Sequence, residues 1–171
     1  GVMNSKDQLI GLLEYALRDA YRRSLKALDL GKELGSGELV LQGQEQIERH
    51  LMIVFSDTVR SQEEAHIYVS KSFLEDYMMK PLYPTVQKYD AKPIFIHIML
   101  NAKDTENTLT LKNLNRMVAK FQQMQSMFKI SLWIADIRSA NPFFYHEEHF
   151  VLSIHQFFSQ FSYGVIITDK T

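Results

Sequence analysis

Four short runs of β-branched and aromatic residues constrain the fold most: "AHIYVS" (65–70), "PIFIHIML" (93–100), "ISLWIADI" (130–137) and "YGVIITD" (163–169). Each reads as a strand. Between the first two, Ser72 and Glu75 stand three apart as a helix-starting capping box, and Pro81 and Pro84 then bend or break that helix. Between the second and third, Leu114, Met117, Val118, Phe121 and Met124 recur at helical spacing. Nearly continuous apolar strands separated by helices predict βαβ units. The expected fold class is therefore α/β, a mostly parallel sheet of four or more strands flanked by helices and preceded by a long N-terminal helix.

That helix is predicted from residue 5, where Ser5 and Gln8 form a second capping box. Leu9, Leu13, Leu17, Tyr21, Leu25 and Leu28 give it one apolar face, and Gly35 and Gly37 end it. About thirty residues at about 1.5 Å each make a rod of about 45 Å, longer than a small domain is wide. The spacing also admits a heptad-like seam, weakened by Gly11, so a linker or dimerisation helix and a helix packed along its own domain both remain open. A boundary is expected at the "GSG", giving residues 1–36 as a linker or dimerisation helix and 37–171 as an α/β ligand-sensing domain. A second amphipathic helix follows, with Ile47, Leu51, Val54 and Thr58 on one face.

The 171 residues, 46% of them hydrophobic, suffice for one sizeable core. A net charge of −1 supplies no field that would recruit nucleic acid or an anionic membrane, so no direct nucleic-acid contact is expected of this fragment. No apolar run approaches the roughly 20 residues of a membrane span, and no signal peptide is visible. The absence of cysteine excludes disulfides and thiolate chemistry and fits a cytoplasmic protein. The opening Gly1-Val2-Met3 raises the expectation of an upstream domain.

The stretch "NPFFYHEEHFVLSIHQFFSQF" (141–161) holds three of the six histidines. Phe150, Ile154, Phe157 and Phe161 step by four, three and four, which predicts a helix with an aromatic core face. "HEEHF" lacks the four-residue histidine spacing of a zinc helix. At about 100° per residue, His155 would lie about 180° from His146, so the three histidines cannot converge. No metal site is expected, and His146 is placed as a surface residue in the helix's first turn.

Ligands in open parallel sheets bind beyond the carboxyl ends of the strands. Those ends supply Ser70 and Lys71, Asn101, Asp136 and Arg138, and Asp169 and Lys170. Arg138 with Asn101 suits an anionic or hydroxylated ligand, and Asp136 can accept from hydroxyls. The plainer alternative is that these residues meet solvent. His97 reads as a core histidine, and no dinucleotide, nucleoside-triphosphate or nucleophile-elbow motif appears.

The run from "ELVLQGQEQIERHLMIVFSDTVRS" through "PIFIHIML" resembles the opening of the phospholipase D-like effector domain of TrmB-type transcription regulators. In that family a coiled-coil linker helix precedes a strand, a glycine-led helix, a strand, a helix and another strand, and the order here is similar from residue 5 to about 100. No histidine is followed at the second position by lysine, so the catalytic H-x-K of phospholipase D-like enzymes is missing.

The resulting expectation is a non-catalytic effector-binding and dimerisation domain of a transcription regulator. It would bind a small-molecule ligand through Ser70, Asn101, Asp136, Arg138 and His146, and pair as a homodimer through the N-terminal helix without cofactor, metal or membrane. The alternatives are a small α/β enzyme acting on a polar metabolite through Asp136, Arg138 and His146, and a protein-interaction module.

Overall fold

The computed structural model describes residues 5–29, 38–60, 64–78, 93–124, 128–135, 141–147, 149–156 and 162–168. Helix α1 (Ser5–Asp29) is followed by β1 (Glu38–Gln42), α2 (Gly43–Arg60) and β2 (Ala65–Ser70). The short helix α3 (Lys71–Phe73) runs directly into a π-helical turn, Leu74–Met78. Then come β3 (Ile94–Leu100), α4 (Ala102–Glu106), α5 (Thr108–Met124), β4 (Phe128–Ile134), β5 (Phe143–His146), β6 (Phe150–Gln156) and β7 (Ser162–Ile167).

All seven strands form one sheet in the order β1-β7-β6-β5-β2-β3-β4. Only β2–β3 and β3–β4 are parallel, and the other four pairings are antiparallel. The sheet is mixed, which corrects the expectation of a mostly parallel one. The cause is the 141–161 stretch: it supplies β5 and β6, two strands of a hairpin, where periodicity predicted a helix. A hairpin reverses the chain, so β6 and β7 join the sheet antiparallel. "ELVLQ", not among the four runs read as strands from their composition, is the edge strand β1, and Gly43, at φ +79°, makes the sharp turn from it into α2.

The two faces of the sheet are covered differently. Alternate residues of the strands, including Ile67, Val69, Ile96, Ile98, Phe144, Leu152 and Ile166, point to one face and pack under Ile47 and Leu51 of α2, the α3 turn, and Leu114 of α5. Gly164 of β7 lets α2 come close, since a Cβ there would lie 3.1 Å from both Ile47 and Leu152. The Ser72–Glu75 capping box is displaced by two residues: Ser70 is the N-cap of α3, its Oγ accepting from the Phe73 N–H. Pro81 and Pro84 lie outside the described residues.

On the opposite face α1 lies alone among the described residues. Leu13, Leu17 and Ala20 are buried on Val151, Val165 and Ile167. Lys6 sits 5.7 Å from the Trp133 ring on the edge strand β4, and Arg23 bonds Glu38 on the other edge strand, β1, at 2.9 Å. Seventeen residues of helix reach about 26 Å and six inter-strand gaps about 29 Å, so α1 crosses the whole sheet as a strap. The glycines expected to end this helix lie outside the described residues.

Candidate functional site

Two cavities open at opposite ends of the sheet. The first, of about 230 Å³, lies beyond the carboxyl ends of the parallel strands, where Ser70, Lys71, Asn101, Asp104, Ala135 and Asn141 are among its lining. Ser70 Oγ is held from three sides: it accepts from the N–H of Phe73 (3.3 Å) and of Phe143 (3.1 Å), and lies 3.3 Å from Ser72 Oγ. Asn101 caps α4 in a reciprocal box: its Oδ1 accepts from the Asp104 N–H and the Asp104 carboxylate accepts from the Asn101 N–H. That bond uses the side-chain oxygen of Asn101 and leaves its amide hydrogens for another acceptor. Lys71 is paired with Glu75 at 2.6 Å.

The structure therefore brings together three of the strand-end residues, Ser70, Lys71 and Asn101, in one cavity, and two of these, Ser70 and Asn101, belong to the expected ligand set. Asp136 and Arg138 follow Ala135 in the chain but lie outside the described residues, as do Asp169 and Lys170. Asn141 and Asp104 were not singled out from sequence and Ser72 only as a helix cap, although an asparagine just ahead of a strand and an i+3 capping partner are legible signals.

His146 lies elsewhere. It pairs with Ile67, three residues or about 10 Å back along β2 from Ser70, and lines the second cavity. Rather than sitting on the surface of a helix, its ring is buried at the end of β5. It packs edge-on against His149 at 4.5 Å, and its Nε2 lies 3.3 Å from Thr58 Oγ1. Burial is the main cause that lowers its pKa to about 4, with His149 adding to the shift and the Glu147 carbonyl opposing it. The ring is neutral near pH 7. This cavity, of about 260 Å³, has Asp57, Glu64, Phe150 and Val54 as further walls.

A line of aromatic and imidazole rings crosses the α1 side of β2, β3 and β4. Trp133 Nε1 donates to His97 Nδ1 at 3.1 Å. An indole can only donate, so neutral His97 carries its proton on Nε2, which faces His66 Nδ1 at 3.2 Å. His66 then presents its own proton on Nε2 toward Glu64, 3.5 Å away. Burial, with a smaller contribution from His66, lowers the His97 pKa to about 4. Tyr68 stacks on His97 at 4.5 Å, and burial, followed by Glu147 and Tyr145, raises its pKa to about 12. Among the described residues no group of three or more His, Asp or Glu is arranged to hold a metal ion. No helix among them is long and apolar enough to cross a membrane.

No protein-family model matches the chain, and no curated protein matches it. Among solved structures it is similar to TrmBL2, an archaeal chromatin protein whose structure shows a novel mode of DNA binding. The similarity covers 96% of this chain and 58% of that one, at 15% identity and a TM-score of 0.42. The chain thus spans less than two thirds of that protein's length. The neighbour is TrmB-like, as is the family the sequence resembles, but a likeness at this level carries no functional argument.

Proposed function

We propose that the chain is a ligand-sensing domain of a transcription regulator, binding a small neutral polyhydroxylated metabolite in the cavity beyond β2, β3 and β4. The carrying observation is the make-up of that cavity. Hydroxyls from Ser70 and Ser72 and amides from Asn101 and Asn141 surround it, and the charged groups among its described lining are already engaged, Lys71 by Glu75 and Asp104 by the Asn101 N–H. Such a lining answers hydroxyl groups better than a net charge. A volume of about 230 Å³ suits an occupant smaller than those of the ~300–1,000 Å³ sites that hold drug-sized ligands. Asp136 and Arg138, next in the chain after Ala135, complete the proposed ligand set.

Occupancy has a mechanical route to α1. Met99, Ala135 and Phe143 line the cavity and also belong to the core that α1 covers. A ligand that presses on them favours one seating of α1 over another, provided it binds the two seatings with different affinity. In this reading residues 1–36 form the transmitting and dimerising element and 37–171 the sensor. The sheet-facing side of α1 is occupied, so pairing would use the outer side, where Leu12 and Tyr15 are 68% and 71% exposed. The assignment to a regulator rests on the sequence resemblance.

A thermal-shift screen of sugars, polyols, sugar phosphates and amino acids tests the ligand class. At least one neutral polyol or sugar should raise Tm, and Asn101→Ser, which keeps the cap but removes the amide, should abolish the rise. A screen in which only anions stabilise the chain, or an unchanged response in Asn101→Ser, would overturn the reading. For the dimer, sedimentation of a Leu12→Glu/Tyr15→Glu variant should give monomer. An unchanged dimer refutes pairing through α1.

A further inference from the structure

The two edges of the sheet are finished differently. The β1 edge is five residues long and both its ends are engaged, Glu38 by Arg23 of α1 at 2.9 Å and the Gln42 N–H by Gln46 Oε1 at 2.9 Å. The β4 edge runs for seven residues in unbroken register with β3. Among the described residues no strand lies beyond it. The Ala135 N–H, just past its end, donates to the Leu100 carbonyl at 2.8 Å. Backbone groups alternate sides along a strand, so Ile130, Leu132 and Ile134 turn their N–H and C=O away from β3, toward the open edge. The side chains of two of these are also in water, Leu132 44% and Ile134 59% exposed. Sheet edges are guarded against pairing by proline, bulges or several charges; β4 has one lysine near its start and none of the rest.

We infer that this edge is an interface between two copies of the chain: β4 pairs antiparallel with β4 of a second copy about a two-fold axis through Ser131, joining two seven-stranded sheets into one. The strand itself argues for that occupant. "FKISLWI" is centred on Ser131, so this axis alone overlaps its full length, and its apolar residues stand at the first, third, fifth and seventh places from either end. A two-fold contact requires such self-complementarity. The axis sets Leu132 against the partner's Ile130, whose outward N–H and C=O groups it exchanges, and joins two apolar side chains on the α5 side of the sheet. It sets Lys129 opposite the partner's Trp133 and not opposite the partner's Lys129, so the single charge of the strand meets an aromatic ring instead of its like. Neither cavity takes a lining residue from β4, and the outer side of α1 is not used, so the interface is independent of the sensing role and of pairing through α1.

The test uses the full chain carrying Leu12→Glu/Tyr15→Glu, which removes pairing through α1. Sedimentation velocity over a concentration series should show a reversible dimer in that background. Leu132→Pro removes an N–H that bonds nothing in its own sheet and should abolish the dimer. Leu132→Lys/Ile134→Lys changes two exposed side chains, should leave the far-UV circular dichroism unchanged, and should weaken the dimer at least about tenfold. The chain has no cysteine, so a single introduced one reads the register. At the axis the two Cα atoms would lie about 4.5 Å apart, within the span of a disulfide, so Ser131→Cys should cross-link under oxidised glutathione. Lys129→Cys, whose two copies would lie about 14 Å apart along the strands, should not. A monomer at every concentration, as an edge covered by another segment of this chain or kept for a different protein would give, overturns the inference. So does a dimer unmoved by the lysine pair, or Lys129→Cys cross-linking as readily as Ser131→Cys.

Discussion

The two faces of the sheet are built on opposite principles. Under α2, α3 and α5 the core is mostly aliphatic and aromatic, with Phe144 packed between Phe73 at 5.5 Å and Phe150 at 5.7 Å, and its buried polar residues, Thr58 and His146, meet each other at its edge. Under α1 the buried groups include His97, Ser153 and His155, and the Nε2 of His155 has no hydrogen-bond partner among the described residues. Among the described residues, one face is covered by several helices and the other by a single strap. The contrast teaches where stability and responsiveness reside: the apolar face holds the sheet together, while the polar face can loosen without dissolving it.

The largest expected effect breaks the first face. Phe144→Ala removes a fully buried ring and should cost about 3–5 kcal/mol, read as a lowered urea midpoint with an unchanged slope. A loss below about 1 kcal/mol would show that this core is not the stable one. Leu13→Ala on α1 should cost about 2–3 kcal/mol, near the low end for such truncations because one helix bears the loss. Hydrogen exchange separates the two: Leu13→Ala should speed exchange in α1 far more than in β3, whereas Phe144→Ala should speed both together. Equal acceleration by Leu13→Ala would erase the distinction between the faces.

The same contrast explains what the sequence disclosed. β2, β3, β4 and β7 were legible because their residues are mostly β-branched or aromatic, and α2 and α5 because one side of each faces an apolar core. β6 was hidden because both of its sides are buried: Phe150, Leu152 and Ile154 face one core while Val151, Ser153 and His155 face α1. A strand buried on both faces shows no alternation, and Phe150 and Ile154 stand four apart as they would on a helix face, while Phe157 and Phe161 lie outside the described residues. The hairpin turn, closed by the His149 N–H to the His146 carbonyl, contains glutamate where Gly, Asn or Asp would announce a turn. At the candidate site, Ser70 and Asn101 were found by the rule that ligands gather at strand carboxyl ends. His146 was misplaced with its strand, and the second cavity was invisible because Asp57, Glu64 and His149 come from three separated segments.

Acidification should weigh on both faces. His97 on the α1 side and His146 on the α2 side have pKa values lowered to about 4, and burial also lowers that of His155 under α1. For a group whose pKa is lower folded than unfolded, stability is complete above the unfolded value near 6.5 and is lost as pH falls through the folded one. His97 and His146 can therefore each remove up to about 1.4 kcal/mol per pH unit between about 6.5 and 4. Carboxylates titrate in the same window, so the informative measurement is a difference. His97→Phe should flatten the pH dependence of the urea midpoint between pH 6.5 and 4.5 relative to the unaltered chain. Parallel curves would mean that His97 does not resist protonation in the folded state.

The smallest effects bear on how α1 is fastened. Lys6→Ala removes the cation from the Trp133 ring at one edge of the sheet and should cost about 0.5–1 kcal/mol. Arg23→Ala breaks a partly buried ion pair at the other edge, with a similar expected loss of about 0.5–1 kcal/mol. The two contacts stand about 26 Å apart along the helix, so their costs should add to within about 0.5 kcal/mol in the double variant. Because Trp133 is the only tryptophan, its emission monitors the Lys6 end alone. If α1 lifts as one body, Arg23→Ala should make the emission change in urea occur earlier, although the altered residue is remote from the indole. If instead the emission midpoint moves only with Lys6→Ala, α1 frays from its ends, and the strap would pass no signal from the strand-end cavity to its far edge.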